Sequence, residues 1–172
     1  MKTMAGGARG AFKRVALNAL RLRMVLYFAY GSNMSARRMQ ERGVRFSSRR
    51  HATLDGFKLV FNKASSNPGE GHANIVREEG SVVEGVLYEV DEEGLRRLDE
   101  CEGYPRHYDR VVVPVRLDDG RVVEAFTYVA QPDATKDGLR PSRRYLSLLL
   151  DGCDVLPRSY RERLARTETL DG

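Results

Sequence analysis

Two short stretches of the chain hold residues whose types and spacing suit chemistry. The first, AYGSNM, places Gly31, Ser32 and Asn33 directly after a strand-like segment at residues 24–30. Gly31 is predicted to take backbone angles closed to other residues, so that successive N–H groups point outward and bind a carboxylate or an oxyanion. The same pattern fits an ordinary tight turn before a helix capped by Ser35, and both interpretations stay open at this point.

The second stretch is LDECEG, at the end of a predicted helix that Asp91 caps and that runs through EEGLRRLDE. Glu102 is expected in the turn before Gly103. A carboxylate there suits a general acid or base, because aspartate and glutamate are common proton-transfer groups. It is also one acid in an acid-rich stretch, and on its own the pattern favours that plainer interpretation.

The sequence does not support several other kinds of site. Ser32 is not predicted to be a nucleophile, because the glycine spacing of a GxSxG elbow is missing. The loop KASSNPGEGHAN, residues 63–74, lacks both a dinucleotide fingerprint and a GK[ST] phosphate loop, and we expect it to be a mobile rim. The two cysteines and three histidines lack zinc-ligand spacing, so we expect neither a metal nor another cofactor.

The net positive charge of the chain comes from its first 23 residues. With 172 residues, 41% hydrophobic and 31% charged, the composition is that of one soluble globular domain. Residues 1–23 contain six basic and no acidic side chains, whereas the rest contains 23 basic and 24 acidic ones. We therefore expect no nucleic-acid partner. No apolar run approaches the roughly 20 residues that span a bilayer, and sparse cysteines favour a reducing cytoplasm.

Residues 12–23 show the 3.6-residue apolar period of a basic amphipathic helix. Such a helix suits a targeting segment or a membrane-surface anchor. Its apolar part is too short and too interrupted for a secretion signal, so we expect residues 1–23 to be a dispensable extension before a domain at residues 24–172. An alternative function as an RNA- or membrane-associated module would depend wholly on residues 1–23.

The remaining pattern predicts an α+β fold with a curved or barrel-like sheet. Gly85 interrupts a strand and indicates a bulge or a close backbone approach. The turn Asp118-Asp119-Gly120 joins two strands as a hairpin. Short helices are expected after Ser35, Asp91, Ser142 and Pro157. The predicted strands cover residues 24–30, 44–54, 57–62, 75–76, 81–90, 107–116 and 121–130.

Four separated motifs together resemble the γ-glutamylcyclotransferase family, also called AIG2-like. They are LYFAYGSNM at 26–34, VEGVLYEV at 83–90 with LDECEG at 98–103, AFTYV at 125–129, and PSRRYLSLLLDGCDVLPRSYRERL at 141–164. The resemblance covers nearly everything from Met24 to Leu164. It implies a small mixed β-barrel with flanking short helices.

The resemblance also implies the site residues. In this family the YGSN turn binds the substrate, and the glutamate of the LDxxEG pattern, here Glu102, is the general acid/base. The tyrosine of PSxxY and the aromatic residue of the last hairpin strand contribute to the pocket. The binding residues implied for this chain are therefore Tyr27, Phe28, Ala29, Tyr30, Gly31, Ser32, Asn33, Tyr128 and Tyr145.

The implied reaction is cyclisation of a γ-glutamyl amino acid or γ-glutamyl amine to 5-oxoproline, without a cofactor and with release of the free amine. YGSN looks more like the γ-glutamyl amino acid branch than the YGTL of the γ-glutamylamine branch or the YGSL of the glutathione branch. The alternative is a non-catalytic binding protein for γ-glutamyl or similar anionic metabolites. A buried carboxylate argues against it, because such a group does not help to bind an anion. The resemblance leaves open the leaving amine and whether the chain forms a homodimer.

Overall fold

Five strands form a closed barrel in the order β1-β3-β2-β4-β5. The computed structural model describes residues 24–172, so the predicted extension at residues 1–23 and its amphipathic helix lie outside the described residues. Neighbouring strands are antiparallel, except that β1 pairs in parallel with β5. This mixed barrel confirms the predicted fold class. The strands are β1 Val25–Ala29, β2 Phe46–Ala64, β3 Gly71–Val90, β4 Tyr108–Arg116 and β5 Val122–Ala130.

In residues 24–172, four short helices flank the barrel, and three of them begin with a capping side chain. The Oγ atom of Ser35 accepts a hydrogen bond from the Arg38 amide at 3.2 Å, and an oxygen of Asp91 accepts one from the Gly94 amide at 2.7 Å. The Ser142 Oγ atom caps the third helix in the same way. Each bond satisfies an N–H group that has no partner within its helix. The helices are α1 Ala36–Glu41, α2 Glu92–Glu102, α3 Arg143–Asp151 and α4 Arg158–Ala165.

Helix α2 is longer than predicted. It runs through Glu102 and ends at Gly103, whose φ of 65° lies in the left-handed region that favours glycine. Glu102 therefore projects from the last helical turn, and its predicted placement in a turn is wrong. A helical residue is held more rigidly than a turn residue, which suits a side chain that must keep a fixed direction.

Strand β1 approaches β3 closely at Gly85. A Cβ atom on this residue would lie 2.5 Å from the Ala29 carbonyl oxygen and 2.6 Å from the Phe28 ring, which is closer than real contacts allow. The close backbone approach predicted for Gly85 is therefore confirmed. It lets β1 lie deep in the barrel wall, where the exposed fractions of Phe28 and Ala29 are 0% and 1%.

Strands β2 and β3 form one long hairpin, whereas the sequence pattern predicted shorter separate strands and an irregular loop at residues 63–74. The irregular part covers only residues 65–70, because Lys63 pairs with His72 and Ala64 with Gly71. Strand β2 continues past Gly56 through a shift in register. Turn-forming residue types mislead here because non-local ladder pairing overrides local preference.

Within residues 24–172, no helix has both the length and the apolarity to cross a membrane.

Candidate functional site

The predicted chemistry-bearing stretches meet in one pocket of about 320 Å³, counting the part open to solvent. Strand β1 leads into its floor, and the last turn of α2 supplies a wall. Aromatic residues from β4, β5 and α3 complete the lining. The lining residues are Tyr27, Tyr30, Gly31, Ser32, Asn33, Glu102, Tyr108, Tyr128 and Tyr145.

The Glu102 carboxylate is held inside the pocket by two donors. Its Oε1 atom accepts hydrogen bonds from Asn33 Nδ2 at 2.9 Å and from Arg42 Nη1 at 3.2 Å. Its side chain is 18% exposed, and that of Arg42 is 20% exposed. Burial raises the pKa of Glu102 above its ordinary value, while the positive charge of Arg42 and the hydrogen bond from Asn33 oppose the rise. The group is therefore poised to accept and return a proton.

Asn33 connects the loop to the carboxylate. Besides Glu102, its Nδ2 atom donates to the hydroxyl oxygen of Tyr27 at 3.0 Å, and its Oδ1 atom accepts from Arg42 at 3.1 Å. In an amide side chain the nitrogen only donates and the oxygen only accepts, so these partners fix the orientation of Asn33. The loop and the end of α2 are thereby joined across 69 residues of sequence.

The loop after β1 forms a short 3₁₀-helix at Ser32–Met34. The Met34 and Ser35 amides donate to the Gly31 and Ser32 carbonyl groups, whereas within residues 24–172 the amides of Ser32 and Asn33 find no backbone acceptor. Successive N–H groups at such a start suit an anion. Arg38 adds positive charge beside them, with its Nε atom donating to Ser32 Oγ at 3.2 Å.

Gly31 is not in the left-handed region. Its φ of −112° and ψ of −141° lie outside the main β and right-handed α regions. Space is a second reason for a glycine here. A Cβ atom would lie 3.3 Å from the Ala73 Cβ atom and 3.5 Å from the Tyr145 hydroxyl, and it would therefore crowd the pocket floor.

The loop is also held from the side facing away from the pocket. The Met34 carbonyl accepts hydrogen bonds from the Tyr88 hydroxyl at 2.9 Å and from Arg49 Nη2 at 2.7 Å. Arg49 is itself paired with Asp154 at 2.7 Å. Gly152 packs directly against the Met34 backbone. These contacts make the loop a fixed platform.

The pocket tyrosines fall into two groups, according to whether the hydroxyl group donates a hydrogen bond to a protein acceptor. Three of them donate to protein acceptors. Tyr30 donates to the Tyr128 carbonyl group, Tyr108 to the Ala73 carbonyl group, and Tyr128 to the Asp99 carboxylate. The Tyr27 and Tyr145 hydroxyls instead accept hydrogen bonds from Asn33 and from the Ala73 amide. Neither of these two donates to a protein acceptor in the described part of the chain. Their protons are therefore available to a ligand.

All five hydroxyl groups stay neutral near physiological pH. Burial raises the pKa of each tyrosine, and the negative charge of Glu102 adds to the rise for every member of the group. The tyrosines thus serve as hydrogen-bond donors and as walls. Glu102 is the pocket group whose proton can move in the ordinary pH range.

Most of the predicted site residues line this pocket, and two do not. Phe28 and Ala29 are buried in the core, where β1 lies against β3, and they take no part in the lining. They had been assigned to substrate binding because the prediction took every residue from Tyr27 to Asn33 as part of the site. Side chains of successive strand residues point to opposite faces, so a continuous stretch of strand cannot all face one pocket.

The structure adds residues that the sequence patterns did not indicate. Tyr108, at the start of β4, lines the pocket, and Arg42 contacts Glu102 from the residue after α1. Asp99 fixes the Tyr128 hydroxyl at 2.7 Å and pairs with Arg110 at 2.6 Å. One signal was available for Asp99, because it precedes Glu102 by three residues and therefore shares its helix face.

In residues 24–172 no group of three or more histidine, cysteine, aspartate or glutamate side chains could hold a metal ion.

Comparisons with known proteins indicate the family. Residues 27–147 match the family described as "Gamma-glutamyl cyclotransferase, AIG2-like". A human protein named gamma-glutamylcyclotransferase is 29% identical over 153 residues, covering 85% of this chain and 80% of the human one. A solved structure named gamma-glutamyl cyclotransferase has a TM-score of 0.76 at 28% identity, covering 87% and 90% of the two chains. A yeast structure described as specific to glutathione has a TM-score of 0.61 over 83% and 94%, and its 14% identity shows the shared fold alone.

Proposed function

Since this chain belongs to the gamma-glutamyl cyclotransferase, AIG2-like family, we propose that it cyclises a γ-glutamyl compound to 5-oxoproline and releases the free amine. The released amine is that of an amino acid or of a simple amine. The observation that carries the proposal is the half-buried Glu102 carboxylate, held by Asn33 and Arg42 in a pocket that is also lined by Ser32 and Asn33, whose amides have no backbone acceptor in residues 24–172.

The reaction needs no external nucleophile. The α-amine of the γ-glutamyl group attacks its own γ-carbonyl carbon, a C–N bond closes the five-membered ring, and the C–N bond to the leaving amine breaks. Intramolecular attack of this kind supplies up to roughly 7–11 kcal/mol of advantage in well-oriented cases. The protein must move a proton and stabilise charge, which suits a site with few catalytic groups.

Glu102 is the group that we assign to proton transfer. As a carboxylate it accepts a proton from the α-ammonium, which frees the nitrogen lone pair for attack. The protonated Glu102 then donates to the leaving nitrogen, so the carboxylate is restored at the end of the cycle. The second proton that the former α-ammonium must lose passes from the ring nitrogen to the released amine, which leaves as an ammonium ion. Arg42 lies 3.2 Å from the carboxylate, and its positive charge opposes the rise that burial causes in the pKa of Glu102.

Two sets of donors suit the charges on the substrate. The amides of Ser32 and Asn33, with Arg38 beside them, suit the α-carboxylate, because this carboxylate is bonded to the carbon that bears the attacking amine. The free hydroxyl protons of Tyr27 and Tyr145 suit the oxyanion that forms at the γ-carbonyl oxygen. Both hydroxyl groups are held by other protein contacts, so little reorganisation is needed during the reaction.

A product assay tests the proposed function. The full chain is incubated with a panel of γ-glutamyl amino acids and γ-glutamyl amines, and 5-oxoproline is measured by mass spectrometry. We expect at least one member to yield 5-oxoproline together with an equal amount of the free amine. If every member is bound and none yields the product, the chain is a binding protein on this fold.

The pH dependence of kcat/KM should report the raised pKa of Glu102. Because the base must start deprotonated, kcat/KM is expected to rise with pH through an acid limb that lies above the ordinary glutamate value of 4.5. The measurement is an initial-rate profile at low substrate concentration, which reflects the free enzyme. An acid limb at or below 4.5 would contradict the assignment of proton transfer to this buried carboxylate.

A further inference from the structure

Lys63 is a buried basic residue near the end of β2, beside the pocket residue Tyr108. It is 9% exposed, and its ammonium nitrogen lies 5.8 Å from the ring centroid of Tyr108, a pocket residue. A shift in strand register falls between Val60 and Lys63. Irregularities of this kind change the direction of side chains and are frequent beside active sites. The side chain is therefore turned toward the pocket aromatic residues instead of toward solvent.

The ammonium group of Lys63 is only partly satisfied. It has three N–H donors, and one of them bonds to the Ala64 carbonyl at 2.9 Å. Among residues 24–172 no carboxylate forms an ion pair with it. Burying a charged group without a partner is costly, and a ligand carboxylate would supply the missing partner. Burial lowers the pKa of Lys63, and the charge of Glu102 opposes this effect.

The other basic residues near the pocket have hydrogen-bond partners in the protein, and Arg38 is also the cation assigned to the α-carboxylate of the γ-glutamyl group. Arg42 bonds to Glu102 and Asn33, and Arg38 bonds to Ser32 on the loop side. His72, the cross-strand partner of Lys63, stacks on Tyr145 and bonds to Glu70 at 2.9 Å, and burial lowers its pKa, which favours the neutral ring. Lys63, whose ammonium group bonds only to a carbonyl oxygen, is therefore the cation among these four residues that is left for a second anionic group of the ligand.

We propose that Lys63 determines substrate specificity by binding the α-carboxylate of the leaving amino acid. This inference rests on the proposed cyclisation at the same pocket. The carboxylate of the γ-glutamyl group itself lies next to the attacking amine and hence beside Glu102 and the loop amides. A second carboxylate, two bonds beyond the scissile nitrogen, lies on the other side of the bond that breaks. Lys63 lies behind the lining, next to the Tyr108 ring, and the proposal places the leaving group toward that side of the pocket.

The proposal separates γ-glutamyl compounds that carry a free carboxylate on the leaving group from those that do not. A γ-glutamyl amino acid carries the carboxylate that Lys63 binds. A γ-glutamyl amine lacks it, and in glutathione the corresponding carboxyl group is blocked as an amide. The chain should therefore favour γ-glutamyl amino acids with a free leaving-group carboxylate over both of the other classes.

The assignment is tested by measuring kcat/KM of the wild-type chain and of Lys63→Met with two substrates. γ-Glutamyl-alanine and γ-glutamyl-alaninamide differ only in the charge at the proposed position. The wild-type chain should prefer the first by about 10- to 100-fold in kcat/KM, the range expected for a hydrogen-bonded charged pair. In Lys63→Met, which keeps the side-chain length and removes the charge, the preference should fall below about threefold. Lys58→Met, at an exposed position on the same strand, should keep the wild-type preference.

Each other outcome has a definite meaning. An equal loss for both substrates in Lys63→Met, or an unchanged preference, would overturn the role assigned to Lys63. The variant is expected to fold, because removing this ammonium orphans no carboxylate, and thermal unfolding checks this point. If neither substrate yields 5-oxoproline with the wild-type chain, and the wider panel gives none, the proposed function itself fails.

Discussion

Replacing Glu102 with glutamine is expected to lower kcat by at least about 100-fold, because general acid–base catalysis supplies roughly 10²- to 10⁴-fold in rate. Glutamine keeps the size of the side chain and can still accept a hydrogen bond from Asn33 at its oxygen. It cannot accept the proton of the α-ammonium. The variant should fold and bind a γ-glutamyl ligand, and steady-state kinetics with a separate binding measurement check both parts.

Glu100→Gln is the matched control for this variant. Glu100 is exposed in the same helix, two residues before Glu102, and therefore points away from the pocket. Its replacement should leave kcat near the wild-type value. Equal losses in the two variants would indicate a general electrostatic effect, and near-normal turnover in Glu102→Gln would remove this residue from the mechanism.

The second large effect is expected for Gly152→Ala. A Cβ atom at this position would lie 2.5 Å from the Ser35 nitrogen and closer still to the Met34 carbonyl carbon. These are backbone atoms of buried residues, so the loop has to move. Overpacking of this kind costs about 3 kcal/mol, or a fall in Tm of about 6–12 °C. A shift of about 1 Å in the loop should also lower kcat/KM by about 100-fold.

Gly138→Ala separates this effect from that of glycine replacement in general. Gly138 has a φ of 78°, and a Cβ atom added there would meet no heavy atom within 4 Å, so alanine adds backbone strain of about 1–2 kcal/mol and no clash. Its kcat/KM, measured well below the unfolding transition, should equal that of the wild type. A wild-type Tm for Gly152→Ala would show that the loop platform is not as tightly packed as these contacts indicate.

Local signals predicted the parts of the site that depend on neighbouring residues. The cap at Ser35, the helix beginning at Asp91 and the hairpin at Gly120 are each encoded within a few positions, and each is confirmed. Family membership, inferred from four short motifs, is confirmed as well. Glu102 was named from its motif, and the structure places its carboxylate in the pocket.

Contacts between distant segments could not be predicted from the sequence. Arg42 reaches Glu102 across 60 positions, and the Tyr108 hydroxyl bonds to Ala73 across 35. The turn-rich residues 63–74 gave no sign of pairing, yet this pairing is what brings Lys63 and His72 beside the pocket. Local residue preferences carry no information about which strands become neighbours, so the electrostatics of the site needed the fold.

The most direct test of the account is turnover of γ-glutamyl-alanine in water enriched in ¹⁸O, followed by mass spectrometry of the product. Cyclisation uses no water, so we expect 5-oxoproline without label, formed in an amount equal to the released alanine. Free glutamate carrying one ¹⁸O atom in its γ-carboxylate would instead show hydrolysis, and this result would contradict intramolecular attack as the chemistry of the pocket.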